Sequence, residues 1–380
     1  MKKRFAILLA MMMVLFSAVS LGDPAADVKA GEAMSHEELV EKALAETGNF
    51  IVYGNTSRIS AAAEEFMTLY NIPTESNNMK DQEIYPKLRS ESGSEAADMV
   101  MIQDGAQLTE AIEEGLVVNF VPAAVKDVLE EKDRQPALVH QFLNKLFVYN
   151  HLGENVPALR NVWELTAPEM KDRILFKNPE NEQVNMNFLI MCTGDEWAAK
   201  LADAYRTWKG EEIDLGGYQN AGFKWVAEFL DNVSFGKSDT TIAEEVSQEE
   251  AAGKIGLFVL SKVRSSSVMT DNLTVAQYDA SENGYTVEPF AGFMYPMYAM
   301  VNSRASRPYT AMLFIEYLMT QEGFRPWGKN IGSYSPNPEI KVNEGDLPVD
   351  VWKNTLVMED PAFILENAGT ADFILRHCQR

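Results

Sequence analysis

Cysteine and histidine are scarce. The 380 residues hold two cysteines, Cys192 and Cys378, and four histidines, His36, His140, His151 and His377. None belongs to a CxxC or a Cys/His cluster, so the ligand spacing of a zinc site is missing. Cations are in deficit, with 33 Lys and Arg against 56 Asp and Glu and a net charge of −23. So acidic a chain repels nucleic acid and anionic membrane, which argues against binding either. No Ser/His/Asp grouping, HExxH, Walker loop or GxGxxG is present, and this leaves no basis for reading an enzyme or a nucleotide cofactor. No run beyond the N-terminus is apolar and long enough to span a bilayer.

What is present suits an exported globular protein. Lys2, Lys3 and Arg4 precede an apolar run from Phe5 to Val19, and Ser20 and Gly22 are small residues before Asp23. This is the pattern of a signal peptide over 1–22. Its removal takes net charge from −23 to −26. No cysteine lies near the cut, so the expectation is a free periplasmic protein without a lipid anchor. The remaining chain is too long for one ordinary domain, and two lobes are expected.

Strand and helix patterns alternate. Phe50–Tyr53 reads as a buried strand, and Ile59, Ala62, Ala63, Phe66, Leu69 and Tyr70 follow at helical spacing, with Thr56 or Ser57 as the cap. "DMVMI" (98–102), "VVNF" (117–120), "NKLFVYN" (144–150), residues 254–260 and residues 288–303 read as further strands. Asp195, Asn220 and Ser238 or Asp239 are expected to cap helices, the last closed by Gly253, and Pro308 to open one. Residues 23–48 read as a polar leader with one short helix. Such alternation points to an α/β fold.

Six stretches in order carry a resemblance. "VYGNTSRISAAAEEF", "ADMVMIQDGAQLTEAIEEGLV", "NVWELTAPEMKDRILFKNP", "GYQNAGFKWVAEFLDN", "AAGKIGLFVLS" and "ASRPYTAMLFIEYLMTQEGFRPWGKNIGSYSPNP" resemble the extracellular solute-binding proteins of ABC importers. The nearest branch looks like the ferric-iron-binding type with its phosphonate and sugar-phosphate relatives. The resemblance implies a type II, two-lobed Venus-flytrap fold, each lobe a mixed sheet flanked by helices, closing on a small solute. It also implies a monomer that docks on an inner-membrane permease, without catalysis or cofactor. The expected boundaries are lobe 1 at 49–148, lobe 2 at 149–290, a return to lobe 1 at 291–338, and C-terminal helices at 339–380 whose lobe is left open. A ligand-sensing role is the alternative to transport.

Ligand in such sheets sits beyond the carboxyl ends of strands. The loop Asn55, Thr56, Ser57, Arg58 is one candidate for holding an anion at a helix start. The resemblance puts Asn185 and Asn187 at a second-lobe helix start with the same role. "LFVLSKVRSSS" ends a strand on Ser261, Lys262 and Arg264, and cations with hydroxyls suit a phosphate, phosphonate or carboxylate. Ferric-binding relatives carry two adjacent tyrosines near this point. Here Lys262 and Val263 stand there, no adjacent tyrosine pair exists, and no metal site is expected. Asp104 and Asn150 are candidate hydrogen-bonding residues, and Tyr218, Trp225 and Tyr295 candidate wall residues. Tyr298 lies three residues beyond Tyr295. A disulfide between Cys192 and Cys378 is left open.

Overall fold

The structure is a computed structural model that describes residues 23–91, 96–153, 158–276 and 287–379. The expected signal segment and the turn at Pro157 lie outside the described residues. Among those described, no helix is long and apolar enough to cross a membrane.

Among the described residues twelve strands form one sheet: β1 (Phe50–Gly54), β2 (Thr74–Asn78), β3 (Met99–Ile102), β4 (Val117–Val118), β5 (Val139–Asn150), β6 (Ile174–Lys177), β7 (Val233–Gly236), β8 (Ile255–Val259), β9 (Leu273–Val275), β10 (Gly292–Asn302), β11 (Ser333–Tyr334) and β12 (Val357–Met358). The order is β2-β1-β3-β10-β5-β8-β6-β7. The parallel triplet β2-β1-β3 belongs to lobe 1 and the parallel triplet β8-β6-β7 to lobe 2. Between them run the antiparallel strands β5 and β10, the longest in the sheet, which pass from lobe to lobe. They meet closely at Gly292, where φ is +149° and a Cβ would lie 2.1 Å from the Lys145 carbonyl oxygen, so only glycine fits.

In lobe 1 the helix Arg58–Tyr70 buries Ile59, Ala62, Ala63 and Phe66 and ends on Asn71, whose φ of +54° stops it. Phe66 packs edge-on against Phe314 of the helix Pro308–Leu318, and Phe50 of β1 completes the triad. In lobe 2 the helix Ala221–Asn232 starts on Asn220, whose side chain accepts from the Phe223 N–H, and stacks Trp225 on Phe229. The tail returns to both lobes. β12 pairs with β10, the helix Pro361–Glu366 packs against Gly105–Glu113 of lobe 1 and Gln183–Thr193 of lobe 2, and Ala371–Cys378 lies on lobe 2.

Several expectations need correction. The leader holds two helices, Pro24–Gly31 and His36–Ala45, because Asp23 and Ser35 each cap one. Asp195 is the first helical residue after the cap Gly194. The helix Asp239–Val246, capped by Ser238, stops short of Gly253, which turns the chain into β8 at φ +73°. β5 starts at Val139, five residues before the expected strand, because it runs the full depth of lobe 1. Cys192 is buried, Cys378 is half-buried, and both are free.

Candidate functional site

The carboxyl ends of the parallel strands of both lobes face one gap. β1 delivers Asn55, β2 delivers Lys80, Asp81 and Gln82, and β3 delivers Gln103. From the other side β6 delivers Lys177 and then Asn181, Glu182 and Gln183, and β7 delivers Asp239. Tyr295 of β10 is the floor of the resulting cavity of about 270 Å³. Nearly every wall residue is polar.

A buried ion cluster sits beneath it. Lys145 of β5 is fully buried, with Nζ 3.2 Å from Glu182, 3.4 Å from Asp239 and 3.0 Å from the Asn185 side-chain oxygen. Burial alone would lower the Lys145 pKa, but the Asp239 and Glu182 carboxylates outweigh it and hold it above the ordinary value. Burial likewise works against Glu182, while Lys145 and Lys177 bring its pKa below the usual range. Lys177 completes the pair with Glu182.

Asp81 is buried. One oxygen accepts from the Asn55 amide at 2.9 Å and the other from the Gln103 and Asp104 N–H groups at 3.0 Å. Burial, with the nearby Asp104 carboxylate, raises its pKa to about 7. This grip orients Asn55 and leaves its buried side-chain oxygen without a partner at the cavity wall. Tyr295 is 2% exposed, and its hydroxyl has no hydrogen-bond partner among the described residues. Arg58 is half-buried, with one bond of 3.4 Å to the Ser333 hydroxyl and no carboxylate partner among the described residues. Burial lowers its pKa, and Tyr295 is the group that opposes this.

Of the residues singled out from sequence, Asn55 and Tyr295 line the cavity. Thr56 accepts from the Arg58 N–H at 3.3 Å, and Ser57 is exposed and makes no side-chain cap bond, so the expected hydroxyl cap is on Thr56 alone. Asn185 serves Lys145 and the Lys177 carbonyl. Asp104 and Asn187 face one another across the lobes at 3.4 Å. Asn150 is buried, donates to the Val246 and Gln248 carbonyls at 2.8 and 2.7 Å and accepts from Leu152 N–H, so its side chain ties a loop. The stretch Ser261–Ser267 is placed away from this cavity. Arg264 is exposed and reaches the Gly345 carbonyl, and the Ser265 hydroxyl bonds the Lys262 carbonyl. Ser266 caps the helix Ser267–Asn272. Neither Ser261 nor Lys262 lines the cavity. Tyr218 and Trp225 pack in lobe 2, against Phe373 and Phe229. Tyr298 lines a separate hollow beside Gly105 and Pro361, so it does not converge with Tyr295.

The residues missed by sequence are Lys80, Asp81, Gln82, Gln103, Lys145, Lys177, Glu182 and Glu359. One signal was available: a lysine inside the apolar strand "NKLFVYN" must have buried counter-ions. Among the described residues no group of three or more His, Cys, Asp or Glu is placed to hold a metal.

No family model and no curated protein matches the chain. Solved structures do. Iron-bound HitA from Pseudomonas aeruginosa aligns with TM-score 0.65 at 12% identity, over 87% of this chain and 99% of that one. Trichodesmium FutA with iron and citrate gives 0.63 at 16%, over 88% and 100%. AfuA from Actinobacillus pleuropneumoniae with fructose-6-phosphate gives 0.61 at 15%, over 88% and 97%. At identities this low the likeness is one of architecture, and the chain has the two-lobed fold of the type II periplasmic binding proteins.

Proposed function

We propose that the chain is the solute-binding component of an ABC importer, a periplasmic monomer that captures a small polar organic solute and presents it to an inner-membrane permease. The observation that carries this reading is the cavity itself. It lies between the lobes, is lined by the strand-end loops of both, and is polar on every side. At about 270 Å³ it has room for a metabolite rather than a peptide.

The solute bears an anionic group. Lys80 at the wall and Arg58 nearby have no carboxylate partners among the described residues, and the Tyr295 hydroxyl is free to donate. Phosphate, phosphonate or carboxylate matches such donors. The unpartnered Asn55 oxygen and the Asp81 and Asp239 carboxylates favour a ligand that also carries hydroxyl or amine hydrogens. The neighbours HitA and FutA hold iron in their structures. A ferric reading fits this cleft less well, because Lys145 and Lys177 occupy the carboxylates that would have to serve as ligands.

A thermal-shift screen of the purified protein against sugar phosphates, phosphonates, amino acids, polyols and Fe³⁺ tests the proposal. A cognate solute at 100 times its dissociation constant stabilises the fold by about 2.7 kcal/mol. A response confined to uncharged polyols would overturn the anionic assignment. A coloured one-to-one Fe³⁺ complex would overturn the organic solute.

A further inference from the structure

We propose that closure of the two lobes is coupled to proton uptake at a latch of three residues, Asp104 on lobe 1, Glu359 on the tail and Asn187 on lobe 2. The latch lies outside the residues that line the solute cavity. Asp104 caps the helix Gly105–Glu113: one oxygen accepts from the Ala106 and Gln107 N–H groups at 3.1 and 3.3 Å. Its second oxygen is buried and has no hydrogen-bond partner among the described residues, in a side chain 1% exposed. Glu359 follows β12, and one of its oxygens accepts from the Gly105 N–H at 3.2 Å. From the opposite lobe the Asn187 amide lies 3.4 Å from Asp104 Oδ1 and 3.4 Å from Glu359 Oε2. One amide from lobe 2 thus serves two carboxylates that stand together at the start of the helix Gly105–Glu113, a contact made across the lobes.

Among the described residues no cation is paired with either carboxylate: Arg89, beside Tyr85, is paired with Glu114, and Lys353 with Asp133. The other groups that face it are the acids Asp81 and Glu110 and the phenols Tyr85 and Tyr298. Glu182 lies across the gap near Asp81, and Tyr295 faces Glu359 from the cavity floor. Asp133 and Asp360 stand near Tyr298, whose hollow also contains Lys132, a lysine already paired with Glu130. Two ionised carboxylates sharing one amide in an interior of this sign repel, and a single proton relieves them. When the lobes part, Asn187 leaves, water enters, and each carboxylate hydrates. Burial first, then the like charge of Asp104, raises Glu359 to about 8, and burial raises Asp104 to about 6.

The direction follows from linkage. The closed form holds more protons than the open form between the ordinary carboxylate range and these raised values. Closure is therefore favoured as pH falls through that window, by up to about tenfold per pH unit for one proton. Any solute that binds the closed form inherits the same dependence.

X-ray scattering from the full, ligand-free chain between about pH 5.5 and 8.5 measures it. The parent is expected to become more compact as pH falls. Glu359→Gln, which keeps the shape and removes the charge, is expected to stay compact throughout. Asn187→Asp, which adds a third acid, is expected to stay extended to lower pH. A parent whose compactness does not change with pH overturns the proposal, and so does a Glu359→Gln variant that responds as the parent does. Should that variant fail to fold, infrared spectroscopy of the compact parent at neutral pH decides: a protonated carboxyl band is expected, and its absence refutes the latch.

Discussion

Lys145 is the residue on which the cleft depends most. A lysine with no exposure would be neutral in an apolar core, but here Glu182, Asp239 and the Asn185 oxygen enclose its ammonium. Lys145→Met removes the cation and leaves two carboxylates facing each other, so unfolding free energy should fall by about 3–5 kcal/mol in urea titration. Nearer the cavity the effects fall on binding. Tyr295→Phe deletes one unpartnered hydroxyl, and solute affinity by calorimetry should drop roughly ten- to a hundredfold, the worth of a hydrogen bond to a charged group. Arg264→Ala, by contrast, should leave affinity unchanged and alter stability by no more than about 0.5 kcal/mol, since its guanidinium is exposed and meets only a carbonyl.

At the scale of elements, Asn150 shows why position in a strand misleads. It ends β5 at the crossing between lobes, where a ligand contact is plausible, but its amide closes the loop after the helix Asp239–Val246 by two carbonyl bonds. Asn150→Ala should cost about 1–3 kcal/mol in thermal unfolding, for donors lost by buried carbonyls, with affinity for the solute retained. The same distinction governs what the sequence made legible. Elements with an apolar period were readable: the helix after β1, the helix capped by Asn220, and the two long crossing strands, one of them under-read at its start. β2 was not, because "TESNN" is a polar edge strand held by backbone pairing to β1, and pairing leaves no hydrophobic pattern. Missing β2 meant missing Lys80 and Asp81, which follow it. The residues of "SKVRSSS" looked like a site because charge and hydroxyls cluster there. In three dimensions the serines finish turns and start a helix, the commonest work of such residues. The fold was carried by six ordered stretches, whereas the cleft is assembled from loops of both lobes and single buried residues of the crossing strands, a convergence that spacing along the chain does not encode.

The whole molecule should be most stable in mild acid. Three acids between the lobes are held above the ordinary carboxylate range by burial, and Asp81 and Glu359 also by the Asp104 carboxylate: Asp81 to about 7, Asp104 to about 6 and Glu359 to about 8. For each, the folded chain binds more protons than the unfolded chain at pH values between about 4 and the raised value. Their contribution is fully present below the unfolded value and is lost as pH rises through the folded one. Glu182 works in the opposite sense. Its lowered pKa contributes stability above about pH 4 that is lost on further acidification. Lys145, raised from an already high value, titrates far above this window. The net charge of −23 adds self-repulsion that grows with pH, in the same direction as the three acids. The melting temperature should therefore be higher near pH 5.5 than near pH 8.5 at fixed ionic strength, roughly the two sides of the window. Glu359→Gln should shrink that difference, because diffuse charge repulsion is almost untouched by one substitution in so acidic a chain. A melting temperature that rises steadily from pH 5.5 to 8.5 would mean that the three acids are ionised and accommodated in the folded protein.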